Sequence, residues 1–584
     1  MFTLKREVGM TTYQILPHTL GNLEPLEDTS LQFSEHLDAK QEVTVRWGFN
    51  EPGSPVTFEV TFPTLGWVGF GFSPSGGMSG ADIVIGGIHP NGSTYFTDRH
   101  ADGTLVPALD PQQDYTLLSL RETGTKTVMM FRRNLQTCDR KDFVITESPV
   151  HLIYAYGSKD DIEHHRGQRG GKEVNLLKHS NPFYPPNPMY FDLTAGNFDV
   201  PEDKTFVYCR IIKGPNLGQK HHIYRVEPLL HNADLSHHML VYVCPSSVQE
   251  EWGGACYFKE NIGKIFPCLQ GVAGWGKGGK AFILPPDVGI PIGTNKYPSY
   301  YRLEIHYNNE AQKPGRMDNS GLRLYYTSEL RQFDMGVIET GVLTAPFYIT
   351  YLIPPKTPSF KSYGLCNTSE FSRVIPGPVL DLNVFGILLH THGAGRKVTV
   401  GHFRNGEQIG FLSIDNNYDQ NFQRVQQFGR VVPVKLGDEI LVECTYNTED
   451  RSTTTLNGLA ATDEMCLAFL YYYPMMKISK CLSAPSQEAL LSSLGSSSIQ
   501  NGIAKLNSES WNQKFIDYYQ NVVKEVPQHT YILAPGEERK ENTGFIRAMW
   551  PSPMSSCENS AISSRNNCML LIFFFLLIQC IGVL

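Results

Sequence analysis

A mainly β chain of stacked sandwiches is predicted from three observations. Charged residues make up only 18% of the 584 residues and aromatics reach 11%, against roughly 25% charged in an average globular protein. Fifty-two Gly and 37 Pro suit many short strands joined by tight turns. Apolar and polar residues alternate with period two in 43–47, 57–62 and 322–326, the mark of half-buried strands. Helical spacing is convincing in few places, one of them where Trp511, Phe515, Tyr518, Tyr519 and Val522 recur. This mix argues against coiled coils, helical solenoids and bulk disorder. Fifty basic against 58 acidic residues, a net −8, leave no electrostatic footprint for nucleic acid.

The length implies roughly three to five domains. A stiff Pro-rich connector at 181–188 and a second break at 353–358 divide the chain. The expected pieces are a sandwich at 35–195, a second at 196–352, a third at 353–540, a stalk at 541–568 and a tail at 569–584. The Ser-rich stretch 484–501 is expected to be mobile. No internal repeat stands out, and no oligomer signal is readable.

The two ends point to a secretory compartment unequally. The N-terminus lacks the apolar core of a signal peptide, so a signal is expected to precede this chain. Residues 569–584 are apolar except for Gln579, just short of the roughly 17–25 residues of a spanning helix. No Lys or Arg follows them, as a single-pass span would normally require. The small, polar residues before them also fit a lipid-anchor signal. Asn91 and Asn367 lie in glycosylation sequons. Twelve cysteines allow several structural bridges. The expectation is a luminal or extracellular glycoprotein, attached to the membrane by its tail.

Histidine carries the chemical signal. Among 18 histidines are three His-His pairs and one His-x-His. Residues i and i+2 of a strand share a face roughly 6.6–6.8 Å apart, so two imidazoles there can converge on one ion. His390 and His392 end an apolar strand pattern and run into Gly393 and Gly395. Two histidines bonded to backbone or water would read the same way. Adjacent histidines face opposite sides of a strand, so a pair can share a metal only at a strand end or bulge. His237-His238 opens an apolar run, His221-His222 reads as a strand start, and His164-His165 as an exposed loop. His306 is another apolar-strand histidine. Several buried imidazoles without partners would be costly, which favours ligation over satisfied core histidines.

Two decoys fall away. Gly274–Lys280 matches the first seven positions of a phosphate loop, but Ala281 stands where Ser or Thr would hold magnesium. No Gly-x-Ser-x-Gly elbow or His-Glu-x-x-His is present, so a hydrolase has no anchor.

Together these residues resemble the copper type II, ascorbate-dependent monooxygenases, the family of dopamine β-hydroxylase and peptidylglycine hydroxylase. His237-His238-Met239 with Cys244 is similar to the first family signature, with Tyr242 where Phe is usual. His390-Thr391-His392 with Gly395 is similar to the second. Asp463-Glu464-Met465-Cys466, followed by Tyr472-Tyr473-Pro474, resembles the methionine-ligand motif. Residues 109–115 and 137–139 resemble the DOMON domain that precedes the catalytic core. The resemblance runs from about 35 to about 535.

It implies a DOMON β-sandwich followed by two jelly-roll-like copper domains with a solvent cleft between them, then a C-terminal helix and hydrophobic tail. It implies two coppers per chain: an electron-transfer ion on His237, His238 and His306, and an oxygen-activating ion on His390, His392 and Met465. Two ascorbates would supply electrons, and O2 would hydroxylate a C–H bond of a small, aromatic, amine-like substrate. Imidazoles suit both copper states, whereas a thioether favours Cu(I). It also implies disulfides Cys209–Cys256, Cys244–Cys268, Cys366–Cys481 and Cys444–Cys466, with Cys138–Cys557 as a weaker fifth. The chain departs from the pattern at Asn383, where the second signature begins with His. Phe469 stands where characterised enzymes often carry Tyr, and a cysteine expected near Glu370 is missing. These departures keep a second reading open: a copper-binding but catalytically inactive luminal or cell-surface binding protein.

Overall fold

A computed structural model describes residues 31–549, apart from 50–54, 178–187, 294–299, 345–351, 535–539 and scattered shorter gaps. The expectations for 541–568 beyond residue 549, for the tail 569–584 and for most of the 181–188 connector lie outside the described residues. Among the described residues, no helix is long and apolar enough to cross a membrane.

The alternating patterns become paired antiparallel strands. In the first unit a five-stranded sheet, containing Thr44–Gly48, Val56–Phe62 and Lys126–Arg133, faces a six-stranded sheet containing Val68–Ser73 and Ala81–Ile88. Their inward residues Trp47, Phe58, Phe70, Phe72 and Phe131 are fully buried. Phe58 stacks on Phe131 at 5.4 Å between ring centroids. Each such ring contributes about 1.5–3 kcal/mol by leaving water.

A polar knot closes one side of this core. Arg133 Nη1 donates to Asp82 Oδ2 at 2.6 Å, and Tyr115 Oη donates to Asp82 Oδ1 at 2.6 Å. Asp98 and Asp142 lie beside it, each with one buried carboxylate oxygen that accepts no hydrogen bond among the described residues. Burial pushes Asp98 up to about 8 and Asp142 up to about 7, and neighbouring carboxylates add to both shifts. The native state therefore holds protons that the unfolded chain, with ordinary Asp values near 3.9, releases. Stability from these groups is full below about pH 4 and is lost as pH rises through 7 to 8. The midpoint of thermal unfolding should be higher at pH 5.5 than at pH 8, and Asp98→Asn should flatten that slope. An unchanged slope in the mutant would refute the assignment.

The second unit pairs a six-stranded sheet with a five-stranded sheet ordered Trp252–Ala255, Thr205–Lys213, Tyr300–Asn308, Ser236–Val243, Gln270–Gly276. The third pairs a seven-stranded sheet, with Leu382–His390, Leu467–Tyr473 and Gly336–Val342 at its centre, with the four-stranded sheet of Phe360–Asn367, Glu439–Tyr446, Gly395–Arg404 and Glu407–Asp415. Gly336–Val342 falls in 196–352 by sequence, yet its hydrogen bonds go to Leu467–Tyr473 and Lys480–Pro485 in the third unit. Met189–Thr194, assigned by sequence to the first unit, pairs with Gly321–Thr327 of the second.

The expected helix is present as Gln513–Glu525. The Ser-rich stretch is not loose: it folds into helices Gln487–Ser493 and Ile499–Ser508. Ser486 caps the first of these, accepting from Ala489 N, and Leu490 and Leu494 are buried. Their burial outweighs the polar composition.

The four expected bridges Cys209–Cys256, Cys244–Cys268, Cys366–Cys481 and Cys444–Cys466 are all formed. Cys138 is also disulfide-bonded, and its suggested partner Cys557 lies outside the described residues.

One apolar core joins the second and third units. Val241, Trp275, Leu303 and Ile305 of the second pack in the same cluster as Phe385, Leu388, Leu467 and Phe469 of the third. Gln270 Nε2 also donates to Val337 O across the junction at 3.1 Å. The two sandwiches are thus pressed together on the faces that carry the histidines.

Candidate metal centre

His238 and His306 sit directly opposite each other on neighbouring strands. The register slips between Ser236 and His238, so His237 is the extra residue of a bulge. That bulge turns two adjacent histidines, which would otherwise face opposite ways, toward one point. Ring centroids are 5.4 Å apart for His237–His238, 5.6 Å for His237–His306 and 4.8 Å for His238–His306. All three rings offer a nitrogen within 4.8 Å of the others.

All three are buried. Burial lowers His237 to about 4 and His306 to about 3, and holds His238 well below the ordinary range. The rings are therefore neutral, each with a nitrogen lone pair. His237 Nε2 and His306 Nε2 have no hydrogen-bond partner among the described residues. His237 Nδ1 and His238 Nδ1 face each other at 3.2 Å. Unpaired nitrogens this deep are costly, and a soft or borderline cation satisfies them.

His390 ends its strand, and His392 lies two residues beyond, with ring centroids 5.3 Å apart. Gln423 Nε2 donates to Gln420 O, so its Oε1 accepts from His390 Nδ1 at 2.6 Å. His392 Nδ1 donates to Asp463 O at 3.1 Å. Both Nδ1–H groups are committed, which leaves both Nε2 lone pairs free to ligate. Glu464 sets the backbone beneath: its carboxylate accepts from His392 N at 2.9 Å and Ala394 N at 2.5 Å. Burial pushes Glu464 up to about 7.

His390 pairs with Leu467 across the ladder, which brings Met465 to the same end of the sheet. Met465 lines one cavity with His238, His306, His390 and His392. The Cys444–Cys466 bridge and a hydrogen bond from Tyr446 Oη to Met465 O at 2.9 Å brace it. A donor set of imidazole nitrogens and one thioether fits copper, which cycles between two states.

Among the described residues, the two histidine sets are not held apart by a wide cleft. His238 lies 5.3 Å from His390 and His306 lies 6.3 Å from His392, centroid to centroid. The shared apolar core draws the sandwiches together and merges both sets into one cluster. The adjoining cavity, about 560 Å³, runs from the histidines past Phe469 and Leu467 to Glu304 and Glu339. Glu339 is paired with Lys480 at 2.6 Å, and Glu304 accepts from Tyr257 Oη at 2.8 Å beside buried Arg302. Phe469 is thus a cavity wall. Asn383 is seven residues up the strand from His390, about 23 Å away at the usual rise.

Models of the DOMON domain and of the N- and C-terminal domains of copper type II ascorbate-dependent monooxygenases match residues 39–157, 191–314 and 333–493. DBH-like monooxygenase protein 2 of Mus musculus is 37% identical over 539 residues, 91% of this chain and 86% of its own length. The chain belongs to the copper type II, ascorbate-dependent monooxygenase family. Two further members of this monooxygenase family show how far the similarity extends. DBH-like monooxygenase protein 1 of Gallus gallus is 39% identical, over 77% of this chain and 74% of its own length. Dopamine beta-hydroxylase of Homo sapiens is 33% identical, over 80% and 77%.

Sequence reasoning did not single out Gln423 or the role of Glu464. Gln423 is 33 residues from the histidine it orients, so no spacing rule points to it. Glu464 stood inside the methionine motif, where a carboxylate before the ligand was the available signal.

The other histidine pairs stay outside the cluster. His222 Nε2 donates to Asp334 Oδ1 at 2.7 Å while its Nδ1 accepts from Arg331 N at 2.8 Å. His164 and His165 lie in a surface loop.

Proposed function

We propose that this chain is an ascorbate-dependent copper monooxygenase acting on a small, aromatic, amine-like substrate. His237, His238 and His306 would hold the electron-transfer copper, and His390, His392 and Met465 the second copper, two ions per chain. Copper supplies electron transfer and reactivity toward O2, which no side chain of the chain possesses. The observation that carries this reading is the convergence of five buried imidazoles, two of them with an unpaired Nε2, beside a thioether.

The chain's own residues do the positioning. Gln423 and Asp463 O fix the tautomers of His390 and His392, and Glu464 fixes the turn between them. Leu388, Leu467 and Phe469 give the cavity an apolar wall suited to a ring and keep water from it. An incoming ammonium would compete with Lys480 for Glu339. Phe469 favours one alternative, a copper-binding protein without turnover, because it places no hydroxyl in the cavity.

Ascorbate-dependent O2 consumption, measured with a panel of phenylethylamines on copper-loaded protein, separates the two readings. Stoichiometric hydroxylated product is expected. Two bound coppers with no product from any amine would sink the enzyme reading.

We further propose a luminal or cell-surface location, with membrane attachment through 569–584. The four disulfides call for an oxidising compartment. Asn91 Oδ1 accepts from Ser93 N and Asn367 Oδ1 from Ser369 N, so both sequons sit in tight local turns. Enzymatic deglycosylation should shift the mass at both asparagines. An unglycosylated, reduced protein would contradict this placement.

A further inference from the structure

The Gly274–Lys280 segment is no phosphate loop, yet it walls a second cavity of about 850 Å³. This cavity opens where all three units meet. Glu173 and Asn175 come from the first, Lys280 and Arg331 from the second, and Arg424 and Gln427 from the third. It shares Trp275, Gly276 and Gln423 with the histidine cavity, so a single layer of residues separates the two.

That layer touches both histidine sets from behind. Gln423 accepts from His390 Nδ1. Gly276 lies across the ladder from His238, and Lys277 N donates to His237 O at 2.9 Å. Contact here is close: a Cβ at Gly276 would stand 2.5 Å from Gln423 O and Cβ.

The cavity is more polar than the histidine cavity, and its charge is net positive, three cations against two carboxylates. Arg424 is engaged by Glu173. Arg331 Nη1 donates to Pro285 O at 2.6 Å and Val288 O at 2.8 Å, contacts that leave its charge uncancelled. Lys280 is exposed and has no hydrogen-bond or ion-pair partner among the described residues. Glu329 is the one carboxylate of the lining outside an ion pair among the described residues.

We propose that this second cavity docks the reductant, a small organic monoanion with vicinal hydroxyls such as ascorbate, and that Lys280 is its principal cationic contact. The proposal rests on the monooxygenase reading, which is what calls for a reductant. Two ascorbate monoanions each lose one electron and one proton to become ascorbyl radicals. Those two electrons and two protons, with O2 and a C–H bond, balance to one alcohol and one water. Gly276, in the lining of this cavity and across the ladder from His238, offers the short route inward to the electron-transfer set.

The test is anaerobic titration of ascorbate into the full-length, metal-free protein by calorimetry, repeated with Lys280→Glu and Lys280→Arg. Saturable binding that weakens with added salt is expected. Lys280→Glu should weaken it about tenfold or more, and Lys280→Arg, which keeps the charge, should bind near the parental affinity. With copper restored, Lys280→Glu should raise the KM for ascorbate and leave the KM for the amine unchanged. Unchanged ascorbate affinity in folded Lys280→Glu would overturn the proposal. Lys280-dependent binding without hydroxylation of any amine would uphold the cavity and refute the monooxygenase reading. Hydroxylation by Lys280→Glu at unchanged ascorbate KM would do the reverse.

Discussion

Met465→Ala should reduce hydroxylation to below about 1% of the parental rate while the His237, His238 and His306 site still binds and reduces copper. Met465 lines the cavity beside His390 and His392 but belongs to a different unit from the first three histidines. Removing its thioether takes away the one donor that favours Cu(I) there. A packing role predicts something else. Met465 is only half-buried, so truncation as mere packing would cost at most about 2–5 kcal/mol and leave both coppers normal. X-ray absorption on the reduced, copper-loaded mutant decides between them. A sulfur shell that persists in folded Met465→Ala would show that Met465 is not a ligand.

Glu464→Ala should be the most damaging change outside the ligand set. Glu464 is fully buried and accepts from two backbone amides, and Arg451 lies 3.5 Å from its carboxylate. Truncation leaves two buried N–H groups without their acceptor, a loss of about 2–5 kcal/mol. It also frees the turn from His392 to Ala394, and copper affinity at His390 and His392 should fall about 10–100-fold. Denaturant unfolding and competition with a copper chelator read the two effects separately. A mutant with parental stability and copper affinity would show that the carboxylate has no role in holding His392.

Much of this was legible from side-chain chemistry. The alternating strands and the helix at 513–525 stand where the sequence placed them, and the four disulfides implied by the family resemblance are formed. The His237-His238 pair posed a stereochemical problem that a bulge could solve, and the slipped register at Ser236/His238 supplies that bulge. What stayed hidden depends on contacts distant in sequence. An apolar strand face looks the same whether it packs within its own sandwich or against the next one, so nothing in Val241 or Leu388 announced that they share a core. For the same reason Gly336–Val342 reads as part of one unit and pairs in another. Gln423 is ordinary until the fold sets it under His390.

The closeness of the two histidine sets bears on how copper would reach the proposed site. Each of the five rings is under 9% exposed, and rings from opposite sandwiches lie as near as 5.3 Å. A carrier protein that hands copper over by ligand exchange must bring its own thiolates or imidazoles against the receiving ring. The buried rings offer such a carrier no exposed face. Delivery in this arrangement is confined to a small diffusing ion or complex entering through the cavity, to a nascent chain whose sandwiches have not yet met, or to a state in which they have parted. Metallation thereby becomes tied to the history of the chain's assembly, and copper content in a cell would report when the metal was offered as much as how tightly it is held.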